Sequence, residues 1–238
     1  MNSIIEPLAW DSRFLGFPVG RLISLNMPEQ QLRSTICGAW QEGWRLLYWA
    51  VDPDDKTSNQ SAQVVGAVLA DQKVRFVLDV ELTAQPLPPA IQAATTLTPA
   101  LHELAQQSGM HSRFRLDPHF APGVYERLYR EWIEKSIQGE RARIVLQYQP
   151  TPTANATGLL TLGVRPGRAD IGLLAVDAGM RRQGIGHQLI QGAKHYAAAW
   201  YLPQLQVVTQ RANTSAYQFY ESEGFRLEHE ELIYHLWL

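Results

Sequence analysis

Residues 171–190, Ile-Gly-Leu-Leu-Ala-Val-Asp-Ala-Gly-Met-Arg-Arg-Gln-Gly-Ile-Gly-His-Gln-Leu-Ile, constrain this chain more than any other stretch. An apolar run leads into a turn, and a basic, glycine-spaced segment then opens an amphipathic helix. Gly184 and Gly186 at the helix start let backbone N–H groups approach an anion closely, and the helix N-terminus adds favourable partial charge. The outline is that of a pyrophosphate cradle; the alternative is an ordinary strand–turn–helix with incidental glycines. Three properly spaced glycines of a dinucleotide fingerprint are missing, and no Gly-Lys-Ser/Thr follows, which excludes a triphosphate P-loop. What remains is Arg181-x-x-Gly184-x-Gly186 after a strand, a backbone nest suited to a pyrophosphate with no metal required.

A second motif follows, Asn213-Thr214-Ser215-Ala216-Tyr217-Gln218-Phe219-Tyr220-Glu221-Ser222-Glu223-Gly224-Phe225. Asn213 can cap a helix, and Gly224 can end it in the left-handed conformation. Taken alone, Asn213 reads as a cap and Tyr220 as a packed aromatic. The two motifs together, with one strand between them, favour a functional pairing.

The 238 residues allow one large domain or two small ones, and 45% apolar with 18% charged residues is ordinary for a globular protein. A formal net charge of −2 argues against a broad nucleic-acid footprint. The single cysteine, Cys37, leaves no intrachain disulfide and no cysteine-rich zinc site, and its neighbours Ile36, Ala39 and Trp40 predict a buried structural thiol. The first residues lack the pattern of a signal peptide, and no apolar run reaches the roughly 18 residues of a membrane span. The expectation is a soluble cytoplasmic protein with no membrane insertion.

Along the chain, residues 20–25 read as a strand. Pro28 and Glu29 open a helix with apolar positions at Leu32, Ile36, Ala39 and Trp40. Residues 45–51 read as a buried strand stopped by Asp52-Pro53-Asp54-Asp55, and residues 58–65 as a short helix. Residues 73–82 alternate at period two: Val74, Phe76, Leu78, Val80 and Leu82 share one face, Asp79 and Glu81 the other. The three prolines at 86, 88 and 89 mark the domain boundary. The expectation is a smaller, rudimentary α/β domain over residues 1–85, packed on a second domain over 86–238. That second domain reads strand at 91–97, helix from Thr98-Pro99 to Gly109, a polar loop at 112–118 and a helix at about 123–138. Strands at 142–149 and 157–164 follow, and then the opening motif with its helix to about Trp200. A strand at 205–210, a helix at 214–223 and a strand at 232–238 complete it. The mixed order β-α-α-β-β-β-α-β-α-β is neither doubly wound nor a barrel.

Arg181-x-x-Gly184-x-Gly186 resembles the acetyl-coenzyme A pyrophosphate loop of the Gcn5-related N-acetyltransferase (GNAT) superfamily, and Asn213-x-x-Ala216-x-x-Phe219-Tyr220-x-x-x-Gly224-Phe225 resembles its second coenzyme motif. The element order of residues 90–238 is that superfamily's order, so the resemblance implies an α/β (α+β) fold with a mixed, splayed central sheet. A closer resemblance, to the bacterial dTDP-fucosamine acetyltransferase family, is carried by Ser112-Arg113-Phe114-Arg115-x-Asp117-Pro118-x-Phe120 and Leu128-Tyr129-x-x-Trp132-Ile133. It is carried also by Ile5-Glu6-Pro7-Leu8-x-Trp10-Asp11 with Phe14-x-Gly16, and by Tyr48-Trp49-x-Val51-Asp52-Pro53-Asp54-Asp55. That family adds a rudimentary domain before the acetyltransferase domain and acetylates the 4-amine of dTDP-4-amino-4,6-dideoxy-D-galactose, for enterobacterial common antigen. Lys135-Ser136 departs from the Asn-Ser expected in relatives, which puts any acceptor contact there in doubt.

The resemblance implies an acetyl-CoA-dependent N-acetyltransferase. The strand at Leu174, Ala175 and Val176 would pair with the pantetheine arm, and an N–H of Leu174 or Ala175 would stabilise the oxyanion. Gln183, Gly184, Ile185, Gly186 and His187 would present N–H groups to the pyrophosphate, with Arg181 adding charge and Asn213 belonging to the second motif. Tyr220 is the expected general acid that protonates the coenzyme A thiolate, with Tyr217 one turn earlier as fallback. For the base, Asp79 and Glu81 on a segment bordering the acceptor cleft compete with a water chain and with plain solvated carboxylates; His187 is less attractive, being part of the coenzyme loop. Arg113 and Arg115 could reach the phosphates of a nucleotide sugar with Phe114 packing on base or sugar, or form a solvated loop. A protein or polyamine N-acetyltransferase of the same fold, or a non-catalytic acyl-CoA binding module, remain as alternatives. A homodimer is plausible from the family and from the apolar terminal strand at residues 232–238.

Overall fold

The computed structural model describes residues 4–151 and 153–238. In chain order the elements are β1 (Ile5–Pro7), α1 (Ala9–Leu15), β2 (Val19–Leu22), α2 (Glu29–Gln41), β3 (Leu46–Val51), α3 (Lys56–Val64) and β4 (Val68–Asp79). There follow β5 (Ile91–Ala93), α4 (Pro99–Ser108), the short α5 (Arg113–Leu116), α6 (Val124–Ile137), β6 (Ile144–Tyr148), β7 (Gly158–Arg165) and β8 (Arg168–Val176). The chain ends with α7 (Ile185–Ala199), β9 (Gln204–Gln210), α8 (Thr214–Ser222) and β10 (Arg226–Trp237). The chain divides into two compact units. One comprises Met1–Val74, Leu116–His119 and His229–Leu238; the other comprises Arg75–Arg115 and Phe120–Glu228.

In the first unit β1 lies antiparallel to β2, β2 parallel to β3, and β3 antiparallel to β10 with Leu232 opposite Val51 and Trp237 opposite Leu46. Leu22, Leu47, Trp49, Val51, Tyr234 and Leu236 from these strands pack with Leu32 and Ala39 of α2 and Ala62 of α3. Asp55 caps α3 by accepting the Ser58 N–H at 3.0 Å, and Ser58 Oγ accepts the Met27 N–H at 2.9 Å, which fixes the chain entering α2. Cys37 is exposed, contrary to the expected buried thiol. Ile36, Ala39 and Trp40 are its neighbours in sequence, but the buried side of α2 runs through Leu32 and Ala39, and Cys37 falls off that stripe, as does exposed Trp40.

The same unit holds a polar cluster around the buried side chains of Asp117 and His235. Asp117 Oδ2 accepts His235 Nδ1 at 2.5 Å and Trp237 Nε1 at 3.0 Å, while Oδ1 accepts the His119 backbone N–H at 3.0 Å and faces His119 Nδ1 at 2.8 Å. The Tyr48 ring leans on the His235 ring, centroids 4.9 Å apart. Burial pushes the Asp117 carboxyl up, but the hydrogen bonds from His235, the His119 backbone, Trp237 and the His119 ring outweigh it and hold the pKa down at about 2.

In the second unit the strand order is β4-β9-β8-β7-β6-β5, of which β5–β8 are successively antiparallel and β8 with β9 is parallel. Leu101, Leu104 and Ala105 of α4 and Leu128 and Ile133 of α6 are buried, as are Ile185, Leu189, Ile190, Ala193 and Ala197 of α7. Thr98 caps α4 by accepting the Leu101 N–H at 3.3 Å with Pro99 in the first turn, the predicted arrangement. The expected element order β-α-α-β-β-β-α-β-α-β is present along the chain, with the short α5 added between its first two helices and its last strand, residues 232–238, falling in the first unit. The strand read over 91–97 is only Ile91–Ala93, because it pairs with three residues of β6 before the chain turns toward the Thr98 cap. The polar stretch at 112–118 is not all loop, since Arg113–Leu116 is helical. β10 starts six residues earlier than its apolar run, at Arg226, because a polar strand is held by neighbouring strands and leaves no hydrophobic period.

Replacing Asp117 with Asn should cost about 2–4 kcal/mol, since it leaves buried His235 without its charged acceptor. A carboxyl pKa depressed from 3.8 to about 2 contributes stability that is complete above about pH 4 and lost as pH falls toward 2. Urea unfolding of wild type and Asp117→Asn should therefore converge in that window; a gap independent of pH would contradict this.

Candidate active site

The second unit's central feature is the course of β8. It pairs with β9 through Ala169, Asp170 and Ile171, opposite Leu205, Gln206 and Val207, and the pairing ends there. On its other side β8 continues along β7 to Val176, opposite Gly158. The register with β7 slips between Leu160, opposite Leu174, and Leu162, opposite Ile171. Two residues of β8, Gly172 and Leu173, thus face one residue of β7, Thr161. That is a β-bulge, which bends its strand and increases the local twist. Beyond it the backbone of residues 174–176 has a strand partner on the β7 side, while β9 has diverged. Leu174 and Val176 are half-buried and Ala175 is buried.

At the end of β8, Asp177 Oδ1 accepts the Gly179 N–H at 2.9 Å and closes a single 3-10 turn. Arg181 Nε donates to the Val176 carbonyl at 3.2 Å, so this exposed arginine is anchored at the end of β8. Arg182 sits at φ +64° and Gly184 at φ +77°, and α7 begins with Ile185. The left-handed Gly184 is the N-cap, a conformation side chains rarely adopt, and a Cβ there would meet no protein atom within 4 Å. The space in front of the loop is therefore open. Gln183 and His187 are exposed, Ile185 is buried, and the N-terminus of this 15-residue helix offers unpaired N–H groups to an anion.

α8 packs beside this loop. A Cβ on Gly186 would lie 3.0 Å from two carbons of the Phe219 ring, so the second glycine of the motif makes room for α8. His187 Nδ1 lies 3.0 Å from Glu223 Oε2, a second tie between the two helices. Asn213 Oδ1 accepts the Ala216 N–H at 3.2 Å and so caps α8, as its position predicted. Tyr220 is buried among Phe76, Phe219 and Phe225, with ring centroids 5.9, 5.4 and 5.4 Å away. Burial raises its pKa well above that of a free phenol, so it stays protonated throughout the neutral range. Tyr217 is half-buried; its hydroxyl accepts Arg211 Nη1 at 2.8 Å and its ring meets Phe76 edge-on at 4.9 Å.

The remaining candidates are placed differently. Asp79 is exposed at the end of β4 and accepts Gln204 Nε2 at 2.7 Å, at the start of β9 and so at the opposite end of that strand from the divergence. Glu81 is exposed just beyond it. Arg113 lies over the Phe114 ring at 5.0 Å, and Phe114 packs on Phe120 at 5.1 Å. Arg115 donates to the Met110 carbonyl at 3.0 Å and lies 5.9 Å from the Tyr125 centroid. These three side chains of α5 already have local partners, in Phe114 itself, Met110, Phe120 and Tyr125. Thr161 escaped sequence reasoning, as did the contacts of Glu223 with His187 and of Phe76 with Tyr220; Gly172, isolated in an apolar strand, was the available signal of a bulge.

A mixed sheet that splays beside a glycine-capped helix N-terminus defines the class, and the chain belongs to the Gcn5-related N-acetyltransferases: the acetyltransferase (GNAT) domain model matches residues 118–235. It is an acyl-transferring enzyme of that family. The chain is 29% identical over 230 residues to dTDP-fucosamine acetyltransferase of Escherichia coli O6:H1, covering 96% of both chains. It is 27% identical over 141 residues to the spore coat polysaccharide biosynthesis protein SpsD of Bacillus subtilis, covering 59% of this chain and 47% of that protein. Among solved structures, a GCN5-related N-acetyltransferase from Sphaerobacter thermophilus superimposes with TM-score 0.62 at 14% identity, covering 98% of this chain and 76% of that one. A tandem GNAT protein from the clavulanic acid pathway gives 0.58 at 12%, covering 93% and 76%. At such identities these two structures speak for the fold. Among the described residues no helix is long and apolar enough to cross a membrane.

The Gly186–Phe219 contact is tight enough that Gly186→Val should displace α8 and cost about 1–3 kcal/mol. A thermal unfolding midpoint equal to wild type would show the contact to be looser than described.

Proposed function

We propose that the chain moves the acetyl group of acetyl-CoA to the 4-amine of dTDP-4-amino-4,6-dideoxy-D-galactose, in the cytoplasm and for enterobacterial common antigen synthesis. The observation that carries the acceptor is the 29% identity to dTDP-fucosamine acetyltransferase over 96% of both chains. The second relative's name points to polysaccharide biosynthesis as well. The donor side rests on residues that fit acetyl-CoA. The open space before Gly184 suits a pyrophosphate, and Arg181, Gln183, Ile185, Gly186 and His187 line the same turn. The backbone of Leu174, Ala175 and Val176, left by β9, suits the pantetheine amides. Asn213 holds the start of the helix that carries Tyr220.

Chemically, a thioester carbonyl attacked by an amine gathers negative charge on its oxygen. The Leu174 or Ala175 N–H, fixed in the strand, meets that charge without reorganising; such a donor is typically worth about 3 kcal/mol. Tyr220, kept protonated by burial, supplies the proton for the departing coenzyme A thiolate. The amine must be neutral to attack, and a water chain carries its proton away. Arg113, Phe114 and Arg115 are the proposed acceptor-side contacts, through guanidinium–phosphate pairing and ring packing. The homodimer is proposed on the family resemblance alone, because the terminal strand pairs along Leu232–Trp237 with β3 of its own chain and is not free to add across an interface.

Coenzyme A release from acetyl-CoA should accelerate with dTDP-4-amino-4,6-dideoxy-D-galactose and stay at background with peptides or polyamines; turnover confined to the latter would overturn the sugar assignment. Tyr220→Phe should lower kcat by roughly 10²–10⁴ with coenzyme affinity largely kept, as expected for a general acid. An unchanged kcat would remove Tyr220 from that role.

A further inference from the structure

The bulge in β8 raises an accounting question. Buried backbone N–H groups need acceptors, and a residue extruded from a ladder loses its own. Here the Leu173 N–H is donated to a side chain: Thr161 Oγ1 accepts it at 2.8 Å in a buried setting. Thr161 is 1% exposed, and it is the single β7 residue opposite the two bulged residues of β8. A Cβ at Gly172 would lie 2.9 Å from the same Oγ1, so the space around the hydroxyl is filled on the strand side too. The bond sits two residues past Ile171, the last β8 residue paired with β9, and immediately before Leu174 and Ala175.

We propose that Thr161 is a positioning residue for the acyl transfer: its hydroxyl, by taking the Leu173 N–H, locks the bulge and so sets where the Leu174 and Ala175 amides point. This rests on the reading of those amides as the contacts of the thioester carbonyl and pantetheine arm. An ordinary ladder bond would draw β8 straight and alongside β9. The side-chain acceptor lets the strand bend at 172–173 with no buried donor left unsatisfied. A neighbouring hydroxyl on β7 thus does for the bulge what the β7 carbonyl does elsewhere along the ladder. The role is indirect, because Thr161 is buried and its oxygen is spent on the strand. Small displacements at a reacting centre are expensive: a misplacement of about 1 Å can cost about 10²-fold in rate.

Thr161→Val keeps the side-chain shape and removes the acceptor; Thr161→Ser keeps the acceptor. In steady-state assays with acetyl-CoA and the amino-sugar nucleotide, Thr161→Val should lose at least about tenfold in kcat while its KM for acetyl-CoA moves by less than about threefold. Thr161→Ser should stay within about threefold of wild type in both. Gly172→Ala presses on the same hydroxyl from the other strand and should lower kcat in the same direction, which decides the matter should the valine variant not fold. Wild-type kcat in either Thr161→Val or Gly172→Ala, with an active parent enzyme, would overturn the inference alone. So would a serine variant as impaired as the valine one. A wild-type protein with no acetyl-CoA turnover would overturn the coenzyme reading and this inference with it.

Discussion

The structure of the acetyltransferase unit depends on one failure of pairing. A central strand is ordinarily bonded on both sides, and β8 gives that up halfway along its length. It keeps β7 as a partner through Val176, but parts from β9 after Ile171. In a soluble sheet an abandoned ladder edge is costly if buried and exposed to unwanted pairing if not. It persists where the edge serves a ligand, and an extended arm with amide groups is what such an edge can take up. The bulge at Gly172–Leu173 is the means, and the Thr161 hydroxyl satisfies the N–H that the bulge displaces. Everything downstream follows from where β8 ends: the Asp177 turn, the left-handed Gly184, and the N-terminus of α7.

The glycine motif at the start of α7 and the Asn213–Phe225 motif are parts of one packing problem. Gly184 is required by backbone conformation, whereas Gly186 is required by the Phe219 ring of α8 lying 3.0 Å from where its Cβ would be. With His187 facing Glu223, the start of α7 and the end of α8 are held at fixed separation. Tyr220, on the same helix as Phe219, is therefore positioned by the glycine loop as much as by its own aromatic neighbours. In the other unit, a different device orders the chain: a buried carboxylate, Asp117, that collects donors from His119, His235 and Trp237.

How much of this the sequence disclosed follows from the range of the interaction involved. Gly184, Asn213 and Gly224 were legible because caps and left-handed turns are local demands with few solutions, and their spacing fixed the element order. The α/β sheet of the second unit followed from the same signals. Cys37 was misjudged because adjacency in sequence is not adjacency on a helix. The early start of β10 and the whole of α1, which buries no residue, gave no hydrophobic period to find. Asp117 and His235 stand 118 residues apart and Thr161 twelve from Leu173, so their bonds exist only once the fold brings the strands together. The proposed acceptor-side contacts Arg113, Phe114 and Arg115 come from family resemblance alone; Arg113 lies over the Phe114 ring, Phe114 packs on Phe120, and Arg115 lies by Tyr125.

The central claim is that acetyl-CoA occupies the edge that β8 presents after leaving β9, with its pyrophosphate at the start of α7. Backbone amide exchange, followed residue by residue with and without acetyl-CoA, addresses it directly. Slowed exchange should concentrate at residues 174–176 and 183–187. Slowing centred elsewhere, with those two stretches unchanged at saturating acetyl-CoA, would contradict it.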